Sequence, residues 1–351
     1  MTSAGFKYEP FSVELKEPFK NSQYRITARR GFIITVTDEH NNSGRGETAP
    51  LPGLSIETYE SAGAELDNFA RIISQLPKLK DFSSVKNIKE LADASPSVRF
   101  GIEQALFNLL LKRESSGILN WLSPGDRAIN VNAVIGLGED AGRRAEEKIN
   151  AGYGTIKLKA GRTGFDDDLS IIKELRNRLG YGFNLRIDAN GKWSPEEAMR
   201  NLDDLEPYRI EYVEEPCPGL ENLVSIASKS PVPVAADESI KSVTDALAVL
   251  ENSAIPFVVL KPMITGGLTG TLEIIEKASL LDKNIIISSS FETALGRNLL
   301  VLLASLVKHN YAHGLDTGDF LTEELFADPY KIEKGIINFS VKEFSRGKIG
   351  D

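Results

Sequence analysis

The sequence predicts an α/β chain: a closed barrel of parallel strands preceded by a separate α+β unit. Three observations carry that reading. From about residue 129 onward, short apolar runs alternate with amphipathic helical segments. The residues before that have a different rhythm, with long strand-like and helical stretches. Five of the strand-like runs also end in an ionisable residue, and those residues recur at nearly constant spacing. At 351 residues the chain exceeds one average domain but fits one large barrel with an addition.

In the opening unit, "FIITVT" (32–37) reads as a strand. It runs into the turn residues Asn41, Asn42, Ser43 and Gly44. A helical stretch near 56–76 follows. A second one, "SVRFGIEQALFNLLLKRE" (97–114), carries Phe100, Ala105, Leu106, Leu109 and Leu110 at helical spacing.

The later part offers eight strand candidates. They are "INVNAVIG" (129–136), "TIKLKAG" (155–161), "NLRIDAN" (184–190), "IEYVEEP" (210–216), "VPVAADES" (232–239), "PFVVLKP" (256–262), "NIIISSS" (284–290) and "AHGLDTG" (312–318). Between them, "SPEEAMRNLDDL" (194–205) has Ser194 as N-cap, Pro195 at N1 and Glu197 at N3, a capping box. Its apolar stripe is Ala198, Leu202 and Leu205; Leu169, Ile172, Leu175 and Leu179 form another. Strands separated by helices imply parallel βαβ units, most simply closed as a barrel. An open doubly wound sheet is the competing arrangement, but no Gly-rich dinucleotide fingerprint follows the first strand.

Strands buried on both faces should be nearly continuous apolar runs. Here the second ends in Lys159, the third in Asp188, the fourth in Glu214, the fifth in Asp237 and the sixth in Lys261. The steps are 188 − 159 = 29, 214 − 188 = 26, 237 − 214 = 23 and 261 − 237 = 24, each about one βα unit. In a barrel these groups ring one mouth, where barrel enzymes keep their active sites. Three converging carboxylates repel one another, and a divalent cation removes that cost. An all-oxygen set favours Mg²⁺, with Mn²⁺ as a substitute, over zinc. Asp188, Glu214 and Asp237 are therefore the candidate metal ligands. Glu215 is the adjacent alternative to Glu214, but strand alternation from Tyr212 puts Glu214 on the shared face.

Lys159 and Lys261 flank the carboxylates and are the candidate catalytic pair. A cation that polarises a substrate carboxylate stabilises an α-carbanion as an enediolate, and a neutral lysine can take the α-proton. Lys157 lies one side chain deeper than Lys159 and is expected to keep it neutral by like-charge repulsion.

Composition sets the remaining bounds. The net charge, 41 − 50 = −9, argues against a nucleic-acid footprint. A single cysteine, Cys217, rules out an intrachain disulfide and suggests a reducing compartment. The longest apolar run, "LLVLLASLV" (299–307), is too short to span a bilayer, and "MTSAGFKYEP" lacks the apolar centre of a signal peptide. The expectation is a cytoplasmic protein acting on a small-molecule carboxylate, with oligomeric state left open.

"KLK" (157–159), "RIDAN" (186–190), "VEEP" (213–216), "ADES" (236–239) and "LKP" (260–262) together resemble the enolase superfamily, in its muconate-cycloisomerase-like subgroup. The resemblance implies a modified (β/α)7β TIM-type barrel with an α+β capping domain, one Mg²⁺, and lysines on the second and sixth strands. It suggests a capping domain over 1–125, a barrel over 126–320 and a segment 321–351 returning to the cap. "GRGETAPLPGLSIETYE" (44–60), "PSVRFGIEQAL" (96–106), "ISSSFETALG" (287–296) and "GLDTGDF" (314–320) look more narrowly like the o-succinylbenzoate synthase family of menaquinone biosynthesis. That likeness implies syn dehydration of 2-succinyl-6-hydroxy-2,4-cyclohexadiene-1-carboxylate (SHCHC), with Lys159 as base and Lys261 as electrostatic partner.

Rival chemistries in the superfamily leave traces of their own. A racemase with a His base would carry it at the seventh strand end, which here reads Ser288, Ser289, Ser290; His40, His309 and His313 fit no such place. Dipeptide epimerases resemble a D-x-D pattern at the eighth strand end, whereas Asp316 and Asp319 are spaced D-x-x-D. An N-succinylamino acid racemase could use the same two lysines. A barrel that binds an anion without turnover is the non-enzymatic alternative.

Further candidates are Arg186 and Asn190, which share the inward face with Asp188, and Glu238, which could pair with Lys261. Ser288, Ser289 and Ser290 are candidates for holding a substrate carboxylate. The loop "APLPGLS" (49–55), with Pro52 and Ser55, could close over the mouth.

Overall fold

The computed structural model describes residues 3–20, 25–73, 81–136, 140–160 and 164–345. Parts of three expected features lie outside these residues: positions 74–76 of the first helical stretch, Gly161 at the end of "TIKLKAG", and 346–351 of the C-terminal segment.

The N-terminal part opens with a three-stranded antiparallel sheet of β1 (Ser3–Lys20), β2 (Arg25–Asp38) and β3 (Ser43–Thr48). The β2–β3 turn is held by Asp38, whose Oδ1 accepts from the backbone amides of His40 and Asn42, both at 2.9 Å. Three helices follow: α1 (Tyr59–Ile72), α2 (Lys89–Ala92) and α3 (Pro96–Leu122). The capping box at Thr58 and Ser61 starts α1.

Helix α3 runs well beyond the expected end at 114. The "SSG" at 115–117 reads as a break in isolation, but Ile118 and Leu119 are buried and carry the helix on to Leu122. Tertiary burial outweighs local propensity there. Strand β3 packs backbone to backbone on α3, which explains the glycines of "GRG". A Cβ on Gly46 would lie 1.9 Å from the carbonyl oxygen of Gly101, and one on Gly44 2.1 Å from that of Ala105.

The second part is a parallel sheet in the order β11-β10-β9-β8-β7-β6-β5. Its strands are β5 (Ala133–Gly136), β6 (Thr155–Lys159), β7 (Asn184–Asp188), β8 (Ile210–Glu214), β9 (Val234–Ala236), β10 (Phe257–Leu260) and β11 (Asn284–Ile287). Between and after them run α4 (Ala141–Asn150), α5 (Phe165–Leu179), α6 (Pro195–Leu205), α7 (Leu220–Ala227), α8 (Val243–Glu251), α9 (Pro262–Thr265), α10 (Gly267–Leu280) and α11 (Ala294–Leu306). The capping box that opens α6 is formed by Ser194 and Glu197, and Ala198, Leu202 and Leu205 are buried. In α5, Ile172 and Leu175 are buried while Leu169 and Leu179 pack partly buried against them.

Two expected strands take a different form. The first is divided. Its leading residues form β4 (Arg127–Asn130), which pairs antiparallel with β12 (Ile336–Phe339), and only Ala133–Gly136 joins the parallel sheet. The eighth shrinks to a bridge. His313 pairs with Val131 and Gly314 with Ser288, which closes the sheet into a barrel. Gly314 permits that passage, since a Cβ there would lie 2.8 Å from Ser288 Oγ. A short final helix, α12 (Val341–Ser345), packs Phe344 against Phe107 of α3. Among the described residues no helix is long and apolar enough to cross a membrane.

Candidate active site

The five strand-end charges converge. Register pairs Lys159 with Asp188 and Asp188 with Glu214 across β6, β7 and β8. Lys159 Nζ donates to Asp188 Oδ2 at 2.6 Å, and Lys157 Nζ donates to both oxygens of Glu214 at 2.7 and 2.9 Å. Lys157 also lies 2.9 Å from Asp188 Oδ2. Lys261 is ion-paired with Asp237. Counting around the barrel, β6 is its second strand and β10 its sixth, so Lys159 and Lys261 face the mouth from opposite sides of an eight-membered ring.

Burial would lower the pKa of Lys157, but Asp188 and Glu214 outweigh it and hold the lysine well above its ordinary value. Beside the repulsion of Lys159 expected from sequence, the structure gives the Lys157 ammonium two carboxylate partners. Burial also works to raise Asp188, but Lys157 and Lys159 overcome it and hold this acid below its ordinary range. Glu214 is pushed up to about 8 by burial and by the Asp188 charge, despite Lys157. Asp237 is raised by burial against the pull of Lys261.

Glu215 turns away from this cluster. It adopts a left-handed backbone, φ 38°, and its carboxylate accepts from the Asp237 amide at 2.8 Å and from Ser239 Oγ. Asn190, also left-handed at φ 49°, donates to Glu238 Oε1 at 2.8 Å, and its own oxygen lies 3.4 Å from Lys159 Nζ. Glu238 therefore hydrogen-bonds Asn190 and meets Lys261 through charge alone, and its Oε2 is buried with no hydrogen-bond partner.

Arg186 does point inward, but it lies one layer below the mouth and does not line the cavity. It donates to Glu211, to Asn132 Oδ1 at 3.2 Å and to the Ala312 carbonyl at 2.7 Å, and stacks over Tyr212. Tyr212 in turn packs in an apolar cluster with Ala235, Phe257, Val259 and Ile286. The buried ring of His313 accepts from the Ile287 amide, and burial holds its pKa well below the usual histidine value, so it serves the barrel wall.

A cavity of about 70 Å³ opens above the lysines. Lys157, Lys159, Lys261, Asn190, Asp237 and Glu238 form its polar side. Leu51, Leu54, Phe291 and Phe320 form an apolar side. Ser288 and Ser289 line it, but Ser290 does not: its amide caps Glu292 and its hydroxyl is buried elsewhere. The 49–55 loop does reach the cavity, but through other residues than Pro52 and Ser55. Pro52 is exposed and Ser55 Oγ is used inside the turn, accepting from the Leu51 amide at 2.9 Å, while Leu51 and Leu54 face the cavity. Sequence reading missed both leucines because an apolar residue in a loop gives no chemical signal. It also missed Asp316 as a wall residue: Asp316 lines the cavity and pairs with Lys148 at 3.1 Å.

The mouth is short of positive charge. Asp188, Glu214, Asp237 and Glu238 face Lys157, Lys159 and Lys261, so the fully ionised cluster carries 3 − 4 = −1. Burial raises Glu214 and Asp237 and the neighbouring acid charges add to it, while one Glu238 oxygen has no hydrogen-bond partner. A hard divalent cation is the complementary charge, and the donors are all oxygen. Among the described residues no three acids converge tightly enough to hold an ion as they stand, because lysine ammoniums lie between them.

Known proteins resemble this chain at the level of family. The family profile described as "Enolase C-terminal domain-like" matches residues 140–342, and that described as "MenC, N-terminal domain" matches residues 8–109. The o-succinylbenzoate synthase of Desulfotalea psychrophila is 26% identical over 93% of this chain and 96% of that protein. The L-Ala-D/L-Glu epimerase of Clostridium acetobutylicum is 27% identical over 84% of each. The dipeptide epimerase of Enterococcus faecalis V583, solved in complex with Mg and the dipeptide L-Leu-L-Tyr, superposes with a TM-score of 0.87 at 24% identity, covering 97% of this chain and 98% of that one. A barrel with acids on three consecutive strand ends, lysines on either side and both family profiles in chain order leads to one conclusion: this chain belongs to the enolase superfamily.

Proposed function

We propose that the protein is a Mg²⁺-dependent hydro-lyase that dehydrates SHCHC to o-succinylbenzoate in the cytoplasm, as a step of menaquinone biosynthesis. The observation that carries the reading is the opposition of Lys159 and Lys261 across a cluster of buried acids that outnumber the lysines by one.

In this reading Asp188, Glu214 and Asp237 would hold the cation. When bound, Mg²⁺ would supply a Lewis acid for the substrate carboxylate as negative charge spreads onto it. Lys159, in its neutral form, takes the proton α to that carboxylate. As an ammonium on the same face, it then returns the proton to the departing hydroxyl, which is syn elimination. Lys261 stays charged on the opposite face and stabilises the developing anion. Asn190 holds Lys159 and Glu238 in register. Ser288 and Ser289 offer hydroxyls to the substrate, and Leu51, Leu54, Phe291 and Phe320 receive its ring and exclude water. Aromatisation drives the product side.

A second reading has one observation in its favour: lysines on both faces are what a two-base N-succinylamino acid racemase or dipeptide epimerase needs. The test supplies SHCHC, N-succinyl amino acids and L-Ala-L-Glu in parallel, with Mg²⁺. Dehydration is expected to dominate. Robust Cα–H exchange with no dehydration would overturn the lyase reading. For the metal, Mg²⁺ is expected to raise the melting temperature, and Asp237→Asn to abolish the rise. If neither occurs, the assigned ligand set is wrong.

A further inference from the structure

We infer that Arg29 and Glu47 form a clamp through which the N-terminal sheet sets the apolar wall of the cavity, which makes both of them positioning residues for the proposed reaction. The inference rests on reading the cavity as the dehydration site.

Phe291 supplies the barrel's part of that wall and sits in the left-handed region at φ 63°, where a bulky side chain is strained. Such a conformation persists only when its surroundings over-determine it. Two side chains from the N-terminal sheet do this, one on each side of the residue. Arg29, on β2 and 1% exposed, donates through Nε to the Phe291 carbonyl at 3.2 Å. Its other nitrogens reach the Pro50 carbonyl at 2.9 Å and the Ala49 carbonyl. One guanidinium thus ties Phe291 to the start of the loop that carries Leu51 and Leu54. Glu47, on β3 and fully buried, takes the other side. Its carboxylate accepts from the Thr293 amide at 3.1 Å, the Thr293 hydroxyl at 2.6 Å and the Gly296 amide at 3.2 Å. It therefore caps α11 from outside the barrel. Arg29 and Glu47 are electrostatic neighbours, and the Arg29 charge offsets a small part of the cost of burying Glu47. Leu51, Phe291, Ile264 and Leu321 complete one apolar cluster between sheet and barrel, with Leu54 and Phe320 packed on it.

The test compares Arg29→Met, Arg29→Lys and Glu47→Gln in the full-length protein with Mg²⁺. A 1 Å misplacement of a wall can cost up to about a hundredfold. We expect Arg29→Met and Glu47→Gln to raise KM for SHCHC by about tenfold or more, with kcat falling much less and the Mg²⁺ activation constant unchanged. Arg29→Lys should recover part of the loss. In a cycle with Phe291→Ala, the Arg29→Met effect on KM should largely disappear, because the clamp then has no wall to hold.

A folded Arg29→Met with wild-type KM overturns the inference, as does additivity with Phe291→Ala. A readout independent of substrate is amide hydrogen exchange. The segments 50–55 and 291–296 should exchange faster together in Arg29→Met. Wild-type exchange in both, or a change in only one, overturns the clamp even if SHCHC is not the substrate. Absence of SHCHC turnover in the wild type, by contrast, removes only the functional reading, and the exchange result then decides the clamp alone.

Discussion

The Lys157 ammonium sits between Asp188 and Glu214, 2.9 Å from an Asp188 oxygen and 2.7 Å from one of Glu214. All three groups are buried. Lys157 is thus an internal cation for two of the proposed metal ligands. Removing one partner of a buried ion pair costs roughly 3–5 kcal/mol, because the remaining charge is stranded. Lys157→Met should therefore lower the melting temperature strongly without Mg²⁺ and enlarge the rise that Mg²⁺ produces. A thermal shift titration reads both. An unchanged Mg²⁺ response would show that Lys157 does not neutralise the ligand set.

Lys159 contacts the same cluster through Asp188 but lines the cavity. Lys159→Ala should lower dehydration by at least about a hundredfold, as expected for loss of a general base. The Mg²⁺-induced thermal shift should survive. Single-turnover kinetics beside the thermal titration separates the two effects, and retained turnover would mean that the base lies elsewhere.

Glu47 predicts a pH dependence. Burial pushes its pKa up to about 7, the Thr293 hydroxyl opposes this, and the Glu292 charge adds to it. The native state holds this proton more tightly than the unfolded chain does. The resulting stabilisation is complete below the ordinary value of 4.5 and is lost as pH rises through about 7. At about 1.4 kcal/mol per unit, the loss by pH 8 is about 3 kcal/mol. Glu214 and Glu215 are raised in the same direction, to about 8 and about 7, so Glu47→Gln should flatten the decline rather than remove it. Urea melts between pH 5 and pH 8 test this, and an unchanged slope would refute it.

Gly46→Ala should destabilise by roughly 3 kcal/mol or more, since the new Cβ would meet the Gly101 carbonyl oxygen at 1.9 Å and the Ala105 nitrogen at 2.8 Å. Both are helix backbone atoms and cannot rotate away. A lower urea midpoint with an unchanged m-value is the expected signature. A wild-type midpoint would show that β3 and α3 can separate at no cost.

Much of the fold was legible because it is periodic. Strand and helix repeats, the Ser194 capping box and the 23- to 29-residue spacing of Lys159, Asp188, Glu214, Asp237 and Lys261 are local or evenly spaced signals. They were enough to imply a barrel and to bring five charged groups to one mouth. The length of α3 was not legible, because it depends on burial of Ile118 and Leu119. Nor was the shrinking of the eighth strand to a bridge at His313 and Gly314.

By itself the sequence determined which residue types gather at the barrel mouth, since alternation sets the face of a strand and unit length sets its end. Only the tertiary structure decided how those residues pair and how deep each one lies. Arg186 and Asp188 share a face, yet one stacks over Tyr212 in the layer below while the other meets two lysines. Glu238 feels the Lys261 charge but takes its hydrogen bond from Asn190. Leu51 and Leu54, not Pro52 and Ser55, turn into the cavity. Arg29 and Glu47 reach the Phe291 carbonyl and the Thr293 amide across more than 240 residues of chain. The physical reason is the same in each case: partners come from different strands, and strand register, twist and domain docking are global properties that no local pattern encodes.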